Sequence, residues 1–302
     1  MSLQFLADGL FAGALIGLGA VGLTLTYSIL RFSNFTHGDF ISWGAYLTLG
    51  VVGALTGWLG PAARFMPFSF GWPLIVGGLL AMALTGLLAL LLDVALFKPL
   101  RRTGHGIVMV IASFGASLAL RAMLEFLFTS EPAYFSRAIQ IAIPIGLGIR
   151  VTPDQAAMMG LALVVVIAMH FLLTRTHIGR SMRAVSENPA LARVVGIDVA
   201  AVIRATWLIG GALACVSGIM LGLTVQIRPQ MGFDLLLPLF AAAILGGIGS
   251  VWGAIIGGLI VGIAEAGAVQ LIGSEYRSAV AFVLLIAMLL VRPRGLFGVR
   301  EG

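Results

Sequence analysis

One cysteine, one lysine and four histidines stand among 302 residues, and only 10% of the chain is charged. Cys215 lies inside an apolar run, so no disulfide can close within the chain and no cysteine-rich metal site exists. A phosphate-binding loop of the G-x-x-x-x-G-K-[ST] type needs its lysine to reach the phosphates. The single lysine, Lys98, stands in Phe97-Lys98-Pro99, so this chain holds no such loop and is not an ATPase motor. Histidine–cysteine metal spacing, a nucleophile elbow and a paired-carboxylate site are missing too, so no enzyme class and no bound cofactor or metal is indicated. An ordinary soluble domain is about 45–50% apolar and about 25% charged. Here 60% is hydrophobic and the mean hydropathy is +1.09, too few polar side chains to clothe a globule in water.

What is present is apolar and rich in small residues. The runs are long and unbroken, unlike the short alternating segments of a transmembrane barrel, and 40 glycines suit closely packed membrane helices. The expected fold is all-α: a polytopic integral membrane protein forming one domain over residues 1–302. A span needs roughly 20 apolar residues to cross ~30 Å of hydrocarbon. The runs 5–30, 40–60, 72–97, 106–129, 155–174, 205–227, 251–272 and 276–291 meet this, giving eight spans. A ninth run, 235–248, would make ~21 Å of helix and is expected as a half-helix or re-entrant segment. The opening MSLQFLADGL has no basic leader and Asp8 interrupts it, so the first helix is expected to stay rather than be cleaved.

The formal charge of +6 is a matter of topology rather than of nucleic acid. Basic residues cluster at Lys98, Arg101 and Arg102; at Arg175, Arg180, Arg183, Arg193 and Arg204; and at Arg292, Arg294 and Arg300. Placing these with Arg31 inside leaves only Arg64, Arg137, Arg150, Arg228 and Arg277 outside, and Arg121 within a span. The short-loop rule then predicts the N-terminus outside and the C-terminus in the cytoplasm. Of the two long loops, 130–154 falls outside, where AIQIAIPIGLGI suggests a short hairpin, and 175–204 falls inside.

Within the inner loop, Asn188-Pro189 is an N-cap and N1 pair, and Gly196 stands where a left-handed residue ends a helix. Asp198 can cap the helix that follows. Asn34, His37 and Asp39 cluster at the start of the second span, as caps and interface residues or as part of a gate. Gly246, Gly247, Gly249 and Ser250, followed by Gly253 and Gly257, put small residues on one helix face at the turn between half-helix and span, permitting close backbone contact. Arg121 and Glu125 are four apart in the fourth span and are expected to pair. Glu265 is an intramembrane acid with no partner in its own helix.

Three stretches resemble the LivH/LivM type of branched-chain amino acid ABC-transporter permease. Residues 183–197 match its R-A-x-x-x-N-P-x-x-A-x-x-x-G-I loop, RFSNFTHGDFISWGAYL (31–47) its N-F-x-H-G-D/E segment, and LPLFAAAILGGIGSVWGAIIGGLIVGIAE (237–265) its A-x-L-G-G-x-G-S segment. The motifs occur in the family's order, span nearly the whole chain, and fit the LivH-like member better than the longer LivM-like one. The resemblance implies an inner-membrane subunit of an ATP-driven importer of branched-chain or other hydrophobic amino acids, or of related small amides. It implies as partners a LivM-like second permease subunit or a second copy of this chain, two cytoplasmic ATPases that bind ATP and Mg, and an extracytoplasmic solute-binding protein. It also makes the inner loop a coupling helix carrying Arg183, Glu187, Asn188, Pro189, Ala192, Arg193, Gly196 and Ile197, with Ala192 on the docking face. The segments bearing Asn34, His37, Asp39, Gly246, Gly247, Gly249, Ser250 and Glu265 would line the path or its gate.

Two rival classes are weaker. An ion-coupled carrier would favour several mid-membrane acids and broken helices in repeated positions, and no second broken segment is evident in the sequence. An aquaporin-like channel would need two Asn-Pro-Ala triplets in apolar half-helices, whereas Asn188-Pro189-Ala190 is single and lies in the most basic loop.

Overall fold

The structure is a computed structural model that describes residues 3–60, 63–104, 106–138, 140–146, 148–292 and 294–297. Arg300, the last member of the third basic cluster, and the C-terminal residue lie outside the described residues. In chain order the helices are α1 (Gln4–Leu30), α2 (Thr36–Leu59), α3 (Trp72–Leu92), α4 (Lys98–Leu100), α5 (Gly106–Phe128), α6 (Pro153–Arg175), α7 (His177–Glu187), α8 (Pro189–Val194), α9 (Val199–Thr224), α10 (Met231–Asp234), α11 (Leu236–Gly246), α12 (Val251–Ile272) and α13 (Arg277–Val291). Among the described residues eight helical stretches are long and apolar enough to cross a membrane, α3 and α4 counting as one through a π-turn. The protein is a polytopic all-α membrane protein, as its composition implies.

Helix α1 is apolar all round and is buried through most of its length, the behaviour of a central helix rather than an amphipathic one. It lies antiparallel against α12 because both offer glycine at intervals of four. A Cβ placed on Gly13 would stand 2.7 Å from Leu259 Cα, and one on Gly258 would stand 2.4 Å from Gly17 Cα. Such backbone contact replaces the hydrophobic drive that lipid cannot supply between helices. Helix α9 is held against α2 in the same way, with Gly44 facing Cys215 and Gly218 facing the Ile41 carbonyl. Cys215 is thus a buried packing residue.

Residue 31, the α3–α5 connection, the loop bearing α7 and α8, and the 247–250 turn all fall at one end of the bundle, the basic face. Arg31 donates to the Ser186 carbonyl, and the Gly249 N–H donates to Thr24 Oγ1 at 2.7 Å near the end of α1. At the opposite face the expected hairpin is present: β1 (Ile143–Gly146) pairs antiparallel with β2 (Ile149–Val151).

The basic-face loop is more helical than its sequence suggests. Besides α8, the stretch before Asn188 forms α7, started by Thr176, whose hydroxyl accepts from the Gly179 N–H at 3.1 Å. Asn188 Oδ1 accepts from the Ala190 and Leu191 N–H groups, both at 3.0 Å, and so begins α8. Gly196 has φ +85°, the left-handed conformation expected of it. Asp198 caps α9 through the Ala201 N–H at 3.0 Å, and α9 therefore starts at Val199 rather than 205.

Candidate translocation site

The second span starts deep inside the bundle. His37 Nε2 donates to the Gly19 carbonyl at 2.9 Å, and Gly19 lies about 16 Å back along α1 from its end at 1.5 Å per residue. Residues 31–36 therefore run from the basic face back to mid-depth without helical bonding. Non-helical backbone is tolerated at such depth only where protein satisfies it. Here Ser113 Oγ accepts from the Phe35 N–H at 3.2 Å, and Asn34 Oδ1 accepts from the Thr36 N–H at 3.1 Å. Asn34 and His37 thus act as an internal cap and an anchor of the break, both almost wholly buried, and the Asn34 amide nitrogen has no hydrogen-bond partner.

A second break mirrors the first from the opposite face. Beyond α9 the chain pairs with the outer loop, Ala133 and Ile227 exchanging backbone bonds at 3.0 and 2.8 Å, and then turns inward. At α10 the Gly232 N–H donates to Ser42 Oγ at 3.0 Å, and a Cβ on Gly232 would lie 1.9 Å from the Gly38 carbonyl. From there α11 runs about 16 Å at 1.5 Å per residue to the basic face. The run 235–248 is therefore a half-helix fed by a re-entrant segment, and its N-terminal end meets the start of the full-length span α2 at mid-depth. Residues 31–36 are polar enough to pass for a surface loop, and only the packing shows that they fold inward.

Charge is placed at this junction. Asp39, 0% exposed, accepts from Ser117 Oγ and faces Arg121 Nε at 3.5 Å. The Arg121 guanidinium also lies 4.1 Å from the Phe233 ring centroid. The expected Arg121–Glu125 pair is not the pairing found: Arg121 turns with Ser117 toward Asp39 of α2, while Glu125 is exposed. Four-residue spacing makes a pair geometrically available, but a buried partner on another helix offers more in low dielectric than an exposed one on the same helix.

The glycine segment is likewise rearranged. Gly246 belongs to α11 and Gly253 and Gly257 to α12, so they meet across a hairpin instead of sharing one helix face. A Cβ on Gly246 would stand 2.0 Å from the Gly253 carbonyl oxygen, and one on Gly257 would stand 2.2 Å from that of Ala242. Gly247 and Gly249 take positive φ in the turn, and Ser250 caps α12 through the Gly253 N–H at 3.0 Å. The described C-terminal segment closes on this hairpin, the Leu296 N–H donating to the Leu245 carbonyl at 2.8 Å. These residues pack the basic-face end of α11.

Glu265, lacking a partner within its helix, finds one across the next turn of chain. Its Oε2 accepts from Arg277 Nε at 2.8 Å, at the start of α13. Arg277, Ser186 with Arg31, and Phe233 were not singled out in the sequence. A signal did exist for the first, since an intramembrane acid needs a cation and Arg277 is the basic residue nearest to it in sequence on that side.

One residue expected on a docking face lies elsewhere. Ala192 is 2% exposed and packs inside the loop, so it is not on a docking face, and Ala192→Glu would disrupt that packing rather than probe a contact. The outward apolar residues are Leu191, Val194 and Val195 at 60%, 82% and 67% exposure. A helix as short as α8 shows one side to the loop and the other to solvent, and the cap at Asn188 sets which. Arg183, Glu187, Asn188, Pro189, Arg193 and Gly196 remain exposed, while Ile197 is half-buried.

Residues 5–289 match the family described as "Branched-chain amino acid transport system / permease component". The chain is 31% identical to the high-affinity branched-chain amino acid transport system permease protein LivH of Escherichia coli K12, covering 98% of this chain and 95% of that protein. It is 31% identical to BraD of Pseudomonas aeruginosa over the same shares, and 29% identical to a probable LivH of Methanocaldococcus jannaschii over 94% and 89%. In fold it is similar to a chain of PsaBC from Streptococcus pneumoniae in complex with Fab, at a TM-score of 0.50 and 14% identity, covering 98% and 96% of the two chains. With two helix starts meeting at mid-depth inside an eight-span bundle and a family match along almost its whole length, this chain belongs to the branched-chain amino acid transport system permease components.

Proposed function

We propose that this chain is the membrane-spanning subunit of an ATP-driven importer for branched-chain or related hydrophobic amino acids, working as one permease domain beside a LivM-like subunit or a second copy of itself. Two cytoplasmic ATPases supply ATP and Mg chemistry, and an extracytoplasmic binding protein delivers the substrate. The N-terminus lies outside a bacterial inner membrane, and the basic face, with the C-terminus, lies in the cytoplasm, as short-loop arginines favour.

One observation supports this reading above the others. At the basic face, α8 and the residue after it present three exposed aliphatic side chains, and the same loop is tied through Ser186 to Arg31, the residue at which the first break begins. A docking surface is thereby linked by one hydrogen bond to the connection that leads into α2, a helix starting at mid-depth. An ion-coupled carrier or channel would have no use for such a surface. The test is co-purification and uptake with Leu191→Asp/Val194→Asp, which alters exposed atoms only. The variant should insert and elute as the parent does, lose the ATPase from the purified complex, and lose leucine uptake at least tenfold. Undiminished ATPase capture and uptake would refute the docking assignment.

A further inference from the structure

A cavity of about 480 Å³ opens at the face opposite the coupling loop, and its floor is built by α10 and the first turn of α11, beside the mid-depth junction. Four of its lining side chains are aliphatic, Leu221, Val225, Leu235 and Pro238. Four others are charged: Arg228, Asp234, Glu265 and Arg277. This size and this mixture of apolar wall with a few polar groups are those of a small-molecule site.

Two features indicate what would fill it. Glu265 is 1% exposed, yet only Oε2 is engaged; Oε1 is buried without any hydrogen-bond partner. A buried carboxylate oxygen left unpaired is costly unless a donor reaches it. Its partner Arg277, by contrast, is 51% exposed, and it lines this cavity and two adjoining ones. The protein therefore offers a fixed anion and a fixed cation 2.8 Å apart, with an acceptor free on one and an accessible guanidinium on the other.

The pair is neutral as a unit. A ligand with one charge would leave net charge in a low-dielectric site, which is unfavourable. A ligand carrying both charges on one carbon leaves none and answers both groups at once. We propose that this cavity binds the zwitterionic head of an α-amino acid, its ammonium on Glu265 Oε1 and its carboxylate on Arg277, with an aliphatic side chain against Leu221, Val225 and Pro238. Asp234 and Arg228 extend the same polarity across the cavity. The proposal rests on the amino-acid reading above and deepens it by locating a substrate way-station within the permease itself.

The experiment measures binding of L-leucine, 4-methylpentanoate and 3-methylbutylamine to the full chain in lipid nanodiscs by isothermal titration. The two analogues keep the aliphatic body and each lacks one charge. Leucine should saturate, both analogues should bind at least about tenfold more weakly, and Glu265→Gln should weaken leucine at least tenfold. That variant keeps a carbonyl oxygen for Arg277 Nε, so the fold is retained while the free acceptor can become a donor. If Glu265→Gln fails to fold, the analogue series on the parent chain still decides. Equal binding of the one-charge analogues, unchanged leucine binding by folded Glu265→Gln, or no saturable leucine binding overturns the site. Failure of the importer reading is separately visible, because the parent complex would then show no ATP-dependent leucine uptake in proteoliposomes.

Discussion

At the scale of single residues, the strongest constraint is charge inside an apolar bundle. Asp39 and Arg121 come from different helices and meet beside Phe233, so the charge of each is balanced from across the bundle. Removing one partner of a buried pair strands the other and typically costs about 3–5 kcal/mol, whereas removing both leaves no orphan charge. Arg121→Ala should therefore lower the unfolding temperature in detergent more than the double variant Arg121→Ala/Asp39→Asn does. Glu125→Ala should shift it little, because Glu125 is exposed. If the double variant loses at least the sum of the single losses, the two side chains are not coupled. His37 belongs to the same level but not to the charge network: its ring is committed to the Gly19 carbonyl, a bond that holds α2 at its depth against α1. Its value lies in fixing where a helix begins.

At the scale of elements, the molecule is organised by two helix starts that sit where most spans have their middles. Each of these helices directs the positive end of its dipole toward mid-depth, and each is reached by a segment whose backbone needs the surrounding protein for its hydrogen bonds. Such a segment is a natural place for movement, since it resists less than continuous helix. The link from the loop proposed to dock the ATPase to the first break is the Arg31 guanidinium on the Ser186 carbonyl. Arg31 itself has φ +59°, which closes α1 and turns the chain inward. Arg31→Ala should leave ATPase capture intact while ATP-dependent uptake drops several-fold and hydrolysis continues without matching transport. The ratio of leucine moved to ATP hydrolysed, measured in proteoliposomes, reads this directly. An unchanged ratio would place the transmission elsewhere in the loop.

At the scale of the whole molecule, orientation is the property on which the functional reading turns. The chain is well suited to a direct measurement because its one cysteine, Cys215, is completely buried and contributes little background labelling. Single cysteines placed by Leu191→Cys on the basic face and Glu131→Cys on the hairpin side are both exposed positions. A membrane-impermeant maleimide applied to intact cells should label the second and not the first, and permeabilisation should expose the first. The reverse pattern would invert the topology and remove the coupling loop from the compartment that holds ATP.

Composition and periodicity alone determined that the protein spans a membrane in eight helices with a short ninth apolar element, because hydrocarbon thickness demands long apolar runs and admits few charges. Local chemistry was equally legible: Asn188 and Pro189 start a helix, Gly196 ends it, and Asp198 starts the next, since caps act through bonds to residues only two or three positions away. Tertiary structure alone decided which charges pair, which side of α8 faces out, and that residues 31–36 fold into the bundle. Each of those depends on a partner distant in sequence: Arg121 on Asp39, Glu265 on Arg277, and the break before α2 on the Gly19 carbonyl and Ser113. A span's length is written in one stretch of chain, but the depth at which a helix begins is set by what lies beside it.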